Sequence, residues 1–280
     1  MGLKPTYGRI SRYGVFALAE SMDHIGPMTR SVEDAAIMLE TMAGYDPNDP
    51  TSLAMPIQNF TEGLTKGVAG LRIGFDRHYA TNNVETEVAT AIDNVIKELL
   101  RQGAKVVDVK MPDVTKLNEA WYQMCVVEAV LANAKTFPSK AEDYGPGFRP
   151  ELEYGLTISG LDFAKANKVR FEFTNQLNQM LNSVDCFVCP TMSNTAHKKH
   201  ADPYNIETEE IWASVVPNDI FTKPFNFSGS PTLSVPCGFS SEGLPISVQF
   251  VGSDLSEAML CRIGHAYETK TDWHNKHPNI

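Results

Sequence analysis

The stretch from Leu71 to Val109 limits the possible folds more than any other part of the chain. Leu71-Arg72-Ile73-Gly74-Phe75 reads as a short strand. From Val84 to Gln102 the apolar residues Val88, Ala91, Ile92, Val95 and Leu99 recur at helical spacing, and Gly103 stops the run. Ala104 to Val109, rich in valine, returns as a second strand. Strand, amphipathic helix and strand in that order make a βαβ unit with a right-handed crossover. Its two strands run parallel and need not be adjacent.

The rest of the chain builds on that unit. Ser31 can cap a helix whose first turn carries Glu33 and Asp34, where the helix dipole favours carboxylates. Ala35, Met38, Leu39 and Met42 follow at helical spacing, and Gly44 ends the run. Residues 45–70 hold Pro47, Pro50, Pro56, Gly63, Gly67 and Gly70 and read as loop with at most short helices. A helix is expected over 115–136, buried on a face with Trp121, Met124, Cys125, Val127 and Glu128, then a Pro/Gly-rich loop over 138–150. A long helix over 160–182 carries Phe163, Ala166, Val169, Phe173, Leu177 and Leu181. Asp185 to Pro190 reads as a buried strand, and residues 191–217 as polar and irregular. Thr232 to Gly238 and Leu244 to Gly252 are two strands joined by a turn at Ser240-Ser241-Glu242-Gly243. Leu255 to Thr269 closes as a helix with Ala258, Met259, Ile263 and Tyr267 inward. The expected fold class is α/β, a mixed β-sheet covered by helices. The Pro/Gly loops punctuate one unit spanning 1–280.

Composition excludes several partners. The net charge of −10 argues against direct binding of nucleic acid or an anionic membrane, and Lys198-Lys199 is too short a basic run to change that. No run of 18 apolar residues is present, and no basic start precedes an apolar leader, so the expected location is the cytoplasm. Five cysteines without a secretory leader read as reduced thiols.

Two local patterns invite chemistry and are set aside. Cys186-Phe187-Val188-Cys189, with His197 and His200 beyond, suggests a zinc site. Positions three apart on a strand point to opposite faces, so Cys186 and Cys189 cannot share a ligand sphere, and a redox pair would need a helix start. Phe227-Ser228-Gly229-Ser230 offers serines, but it reads as a turn before a strand. No metal and no cofactor is expected.

The strongest functional signal lies at the two ends. Gly2-Leu3-Lys4-Pro5-Thr6-Tyr7-Gly8-Arg9-Ile10-Ser11-Arg12-Tyr13-Gly14 and Ser21-Met22-Asp23-His24-Ile25-Gly26-Pro27-Met28-Thr29-Arg30-Ser31-Val32-Glu33-Asp34 closely resemble the amidase-signature family. Phe221 to Gly238 and Gly243 to Gly252 are similar to its late segments, and residues 110–160 match poorly. In that family the opening segments come directly after a Gly/Ser-rich signature that carries the nucleophilic serine and a second serine on a cis peptide. A lysine lies further upstream. None of the three stands in this sequence, so the resemblance implies the C-terminal portion of the amidase-signature fold, with no catalytic residue among 1–280.

The resemblance further implies hydrolysis of a small-molecule carboxylic amide, with a missing N-terminal half or a partner subunit completing the site. Asn167-Lys168-Val169-Arg170 resembles the segment that, in the A subunits of amidotransferases, presents an arginine to the substrate's α-carboxylate. Pro217-Asn218-Asp219-Ile220 resembles the one presenting an aspartate to the α-ammonium. Arg170 and Asp219 are thus candidate substrate-binding residues. Otherwise they are a surface ion pair and a loop hydrogen bond. Asp23, in the family's Ser-x-Asp-x-x-Gly-Pro segment, is expected to buttress the catalytic loop. Three readings stay open: an amidase, the A subunit of a tRNA-dependent amidotransferase, and a non-catalytic binding remnant. Asp272-Trp273-His274 looks more like general amidases than like the amidotransferase component. A part of the domain standing alone is expected to leave an exposed strand edge and an uncovered apolar face.

Overall fold

The computed structural model describes residues 1–196 and 220–276. Among them six strands form one mixed sheet: β1 (Gly2–Lys4), β2 (Arg72–Phe75), β3 (Lys105–Asp108), β4 (Cys186–Pro190), β5 (Thr232–Phe239) and β6 (Pro245–Val251). Their order is β1-β5-β6-β4-β2-β3. The βαβ unit is there as expected: β2 and β3 are parallel neighbours, with Ile73 opposite Val106. Strand β4 extends the parallel half beside β2, and β6 and β5 add antiparallel strands.

The helices are α1 (Val32–Met42), α2 (Arg77–Thr81), α3 (Thr86–Arg101), α4 (Leu117–Ala132), α5 (Arg149–Gly155), α6 (Gly160–Leu181), α7 (Lys223–Ser228) and α8 (Glu257–Glu268). They bury apolar faces on both sides of the sheet. On one side α1, α3 and α8 contribute Leu39, Ile92, Leu99 and Ile263 to a core with Val235 and Phe250. On the other, α4, α6 and α7 contribute Met124, Phe173, Leu177, Phe225 and Phe227. Strand β4 lies between the two, and its side chains alternate. Cys186 and Val188 enter the first core; Phe187 and Cys189 enter the second. The two cysteines of the Cys-x-x-Cys pattern therefore face opposite ways. His197 and His200 lie outside the described residues.

The sequence-based boundaries hold to within a few residues for the long helices, but four short elements carry no sequence signal of their own. Strand β1 is three residues long and flanked by Pro5, so it shows no alternation; its pairing to β5 defines it. Helices α5 and α7 each carry proline in the first turn, where a missing N–H costs nothing. Those prolines suggest loop, and in the fold they open helices. Gly229 closes α7 at φ +83°, a left-handed cap. Helix α2 is a single turn capped by Asp76. Helical spacing places Met38 inward, yet it is 41% exposed because α1 turns Val32, Ala35, Ala36 and Leu39 to the core.

The expected open strand edge is not found beside β1. Leu3 N–H donates to the Pro27 carbonyl at 3.0 Å and Thr29 N–H to that of Met1 at 3.0 Å, so residues 27–29 cover its outer side. At the other end β3 has only four residues, with Lys105 and Asp108 exposed, a short and charged edge. This closure depends on Gly26. A Cβ there would lie 2.0 Å from the Leu3 carbonyl oxygen, which is backbone and cannot yield cheaply. Gly26→Ala is expected to lower stability by about 1–3 kcal/mol, read as a shifted denaturant midpoint at constant slope.

Candidate functional site

The loop over 18–28, strand β1, helices α4 and α7 and the β4–β5–β6 strands enclose a cleft of 590 Å³. Leu18, Met22, Pro27, Met28 and Trp121 supply apolar walls; Lys4, Asp23, His24, Asn226 and Gln249 supply polar groups. A small set of fixed polar groups in an apolar cleft of this size suits a small molecule.

The polar groups are held by one another. Asn226, on α7, accepts from Trp121 Nε1 at 2.9 Å and donates from Nδ2 to the Met22 carbonyl at 2.7 Å. His24 Nδ1 lies 2.6 Å from the same carbonyl, which assigns the proton to Nδ1 and leaves Nε2 bare. Burial, aided by the Lys4 ammonium, pulls the His24 imidazole down to about 3, so it is neutral at physiological pH. Gln249 reaches from β6 to the Phe221 carbonyl at 2.7 Å. Lys223 lies 5.1 Å from the Trp121 ring centroid.

Lys4 is the most perturbed cation of the cleft. Its Nζ donates to the Ser230 carbonyl and thereby ties β1 to the turn after α7. Burial pulls the amine down to about 7, against the attraction of Glu257 and Asp254. Cys125 is the thiol in the cleft wall. Burial, with Glu128 and Asp23 nearby, pushes it up to about 12, so it is protonated and a poor nucleophile.

Asp23 lines the cleft, and its carboxylate accepts the Leu18 N–H at 2.8 Å and the Ala19 N–H at 3.2 Å. It organises the turn over 18–23 from inside. Arg170, on α6, donates from Nε to the Phe227 carbonyl at 2.7 Å, from one terminal nitrogen to Ser21 Oγ at 2.9 Å, and from the other to the Ser21 carbonyl at 2.7 Å. Glu128 holds the same Ser21 through its N–H at 2.8 Å and its Oγ at 2.7 Å. Arg170 is thus a cross-link joining α6, α7 and the 18–23 turn, and it is not among the residues lining the cleft. Asp219 lies outside the described residues. Ser228 and Ser230 share a 2.9 Å hydroxyl contact, but Lys4 reaches the Ser230 carbonyl and not a hydroxyl, and neither serine lines the cleft.

Sequence reasoning does not single out Lys4, His24, Trp121, Asn226 or Gln249 as site residues. Lys4, His24, Asn226 and Gln249 stand within the family-like segments without an assigned role; Trp121 falls in the poorly matching 110–160 stretch, where spacing carries no signal. Among the described residues no group of three or more His, Cys, Asp and Glu side chains could hold a metal ion.

A family model described as Amidase matches residues 1–261. The amidase of Pseudomonas putida is 36% identical over 281 residues, covering 100% of this chain and 60% of that protein. The A subunit of the glutamyl-tRNA(Gln) amidotransferase of Pseudomonas fluorescens (strain Pf0-1) is 36% identical over 305 residues, covering 99% and 61%. Among solved structures, the A subunit of the Thermotoga maritima glutamyl-tRNA(Gln) amidotransferase superposes with a TM-score of 0.78 at 33% identity, over 96% of this chain and 57% of that one. A bacterial aryl acylamidase of the amidase-signature family shares the fold, with a TM-score of 0.83 at 24% identity, over 98% and 58%. The chain therefore spans about three-fifths of the length of the curated relatives it matches.

Proposed function

Because the chain belongs to the amidase family, we propose that residues 1–280 form the larger part of one domain that hydrolyses the C–N bond of a small carboxylic amide. In the complete domain a serine, deprotonated through a second serine on a cis peptide and a neutral lysine, attacks the carbonyl carbon. Backbone amides hold the oxyanion, ammonia leaves, and water releases the acid from the acyl-enzyme. The sequence here contains neither the signature nor its lysine, so this chain's contribution is the binding cleft. The observation that carries the reading is the cleft itself, walled by the same 18–28 segment that lies inside the family match.

Asp23 buttresses the loop that faces the reacting amide. For a zwitterionic substrate, Arg170 and Asp219 take the carboxylate and the ammonium. A guanidinium has five N–H donors, of which Arg170 commits three to Ser21 and Phe227. A second reading, the A subunit of a tRNA-dependent amidotransferase working with other subunits, is favoured by relatives bearing that name. Among the described residues no helix is long and apolar enough to cross a membrane, and the five cysteines are free. Reduced thiols fit a cytoplasmic setting.

Ammonia release separates the readings. An amidase, once its missing residues are supplied, hydrolyses simple aliphatic or aryl carboxamides. A component of an amidotransferase acts on glutamine and is stimulated by its partners. Tight binding of a carboxamide without turnover in the completed domain would instead identify a binding remnant.

A further inference from the structure

We infer that Lys223, set over the Trp121 ring in the wall of the cleft, determines its specificity by pairing with a carboxylate at the far end of the amide substrate. The cleft then takes monoamides of dicarboxylic acids in preference to neutral amides. The inference rests on the amidase reading of this cleft and names its substrate class.

Helix α7 places the group. It buries Pro224, Phe225 and Phe227, and Lys223 lies beside them at 6% exposure. A lysine at such a position is costly, because burial strips its ammonium of water, and an apolar residue would fill the space without that cost. The same desolvation strengthens its attraction for an anion that enters the cleft. Trp121 fixes where the ammonium sits. Its Nε1 donates to Asn226 Oδ1 at 2.9 Å, and Asn226 Nδ2 donates to the Met22 carbonyl at 2.7 Å. The ring held in this way has its centroid 5.1 Å from Lys223 Nζ. The charge reaches further along the wall. At Cys125, one turn beyond Trp121 on α4, it opposes the burial that pushes the thiol up.

The balance of charge in the cleft points the same way. The chain has a net charge of −10, yet the described residues lining the cleft set Lys4 and Lys223 against the carboxylate of Asp23. His24 is neutral there, and Asp23 is engaged with the Leu18 and Ala19 N–H groups. A positively lined cleft on an acidic chain concentrates anions. Lys4 is less suited to hold one, since its Nζ is committed to the Ser230 carbonyl and burial pulls the amine down to about 7. Arg170 lies outside the lining and commits three donors to Phe227 and Ser21. Leu18, Met22 and Trp121 offer an apolar wall that suits the methylene chain between amide and carboxylate.

The probes are glutaramate, a dicarboxylic monoamide, and valeramide, in which a methyl group replaces the carboxylate. Each is titrated into the 280-residue chain, and binding is read from the indole N–H resonance of Trp121, assigned with Trp121→Phe. Glutaramate is expected to bind at least about tenfold tighter than valeramide. Lys223→Gln and Lys223→Met each bring the two affinities within about twofold, and Lys223→Arg, which keeps the charge, keeps the preference. No preference in the wild type overturns the inference, whatever the variants do. So does a preference that survives Lys223→Gln, since another cation would then hold the carboxylate. In the completed domain, ammonia released from valeramide as fast as from glutaramate overturns the inference and leaves the amidase reading standing. Lys223-dependent binding of glutaramate without ammonia release from any carboxamide counts against the proposed function alone.

Discussion

Arg170→Met lowers the stability of the chain by about 2–4 kcal/mol, the loss of three part-buried hydrogen bonds donated by a charged group. The guanidinium spends three donors on Phe227 and Ser21, and burial already pulls it below its usual range. Without it, the Phe227 and Ser21 carbonyls lose their partners and Glu128 keeps a half-satisfied turn. Chemical denaturation reads the loss as a lower midpoint at unchanged slope. Arg170→Lys separates the two roles assigned to this residue. A single ammonium cannot make the forked contact, so the variant keeps part of the stability. If Arg170 also reads a carboxylate, the completed domain shows a raised KM for carboxylate-bearing amides and an unchanged one for neutral amides. A melt unaffected by Arg170→Met would mean that the cross-link contributes nothing.

Lys4 gives the second large effect, and its sign is fixed by linkage. Its folded-state value of about 7 lies below the 10.5 of an exposed lysine, so between those limits the unfolded chain binds a proton that the folded chain has released. The Lys4 contribution to stability therefore rises with pH across that window, with a slope approaching about 1.4 kcal/mol per pH unit at its centre, while the buried thiols, all pushed up by burial, act in the opposite sense above their unfolded range. Below pH 7 both states are protonated, and the folded state carries the full cost of a buried ammonium. The stability of the wild type relative to Lys4→Met is expected to rise with pH between 7 and 10, a difference in which the thiols common to both cancel. His24 acts in the same direction in a separate window, between about 3 and 6.5, so the two residues are distinguishable by pH alone. A wild-type profile that runs parallel to that of Lys4→Met between pH 7 and 10 would remove Lys4 from this role.

The sheet and its main helices are legible in the sequence because their signals are local. Val88, Ala91, Ile92, Val95 and Leu99 recur at helical spacing, and all five are buried on α3. The alternation of β4 follows from the strand period and separates Cys186 from Cys189 as expected. Strand β1 is not legible, since three residues next to a proline carry no periodicity and owe their conformation to β5. Helices α5 and α7 are hidden by prolines that break a helix interior but suit a first turn. The cleft is hidden for a different reason. Trp121 donates to Asn226 across 105 residues, and Asn226 and His24 converge on the Met22 carbonyl from elements 202 residues apart, which no spacing rule encodes. The family-like segments do supply much of the cleft wall, since Lys4, Asp23, His24, Asn226 and Gln249 all lie within them.

The central claim is that this chain supplies the amide-binding cleft of a hydrolase whose nucleophile lies on residues absent from positions 1–280. Ammonia release from a panel of carboxamides, including glutamine, tests it directly, with the unfused chain assayed beside a fusion that joins the unmatched part of the Pseudomonas putida amidase to Met1 through a Gly/Ser linker. The account predicts no release above background from the unfused chain and steady turnover from the fusion, abolished when the signature serine of the added segment becomes alanine. Turnover by the unfused chain at a rate matching the fusion would contradict it, because the nucleophile would then lie within these 280 residues.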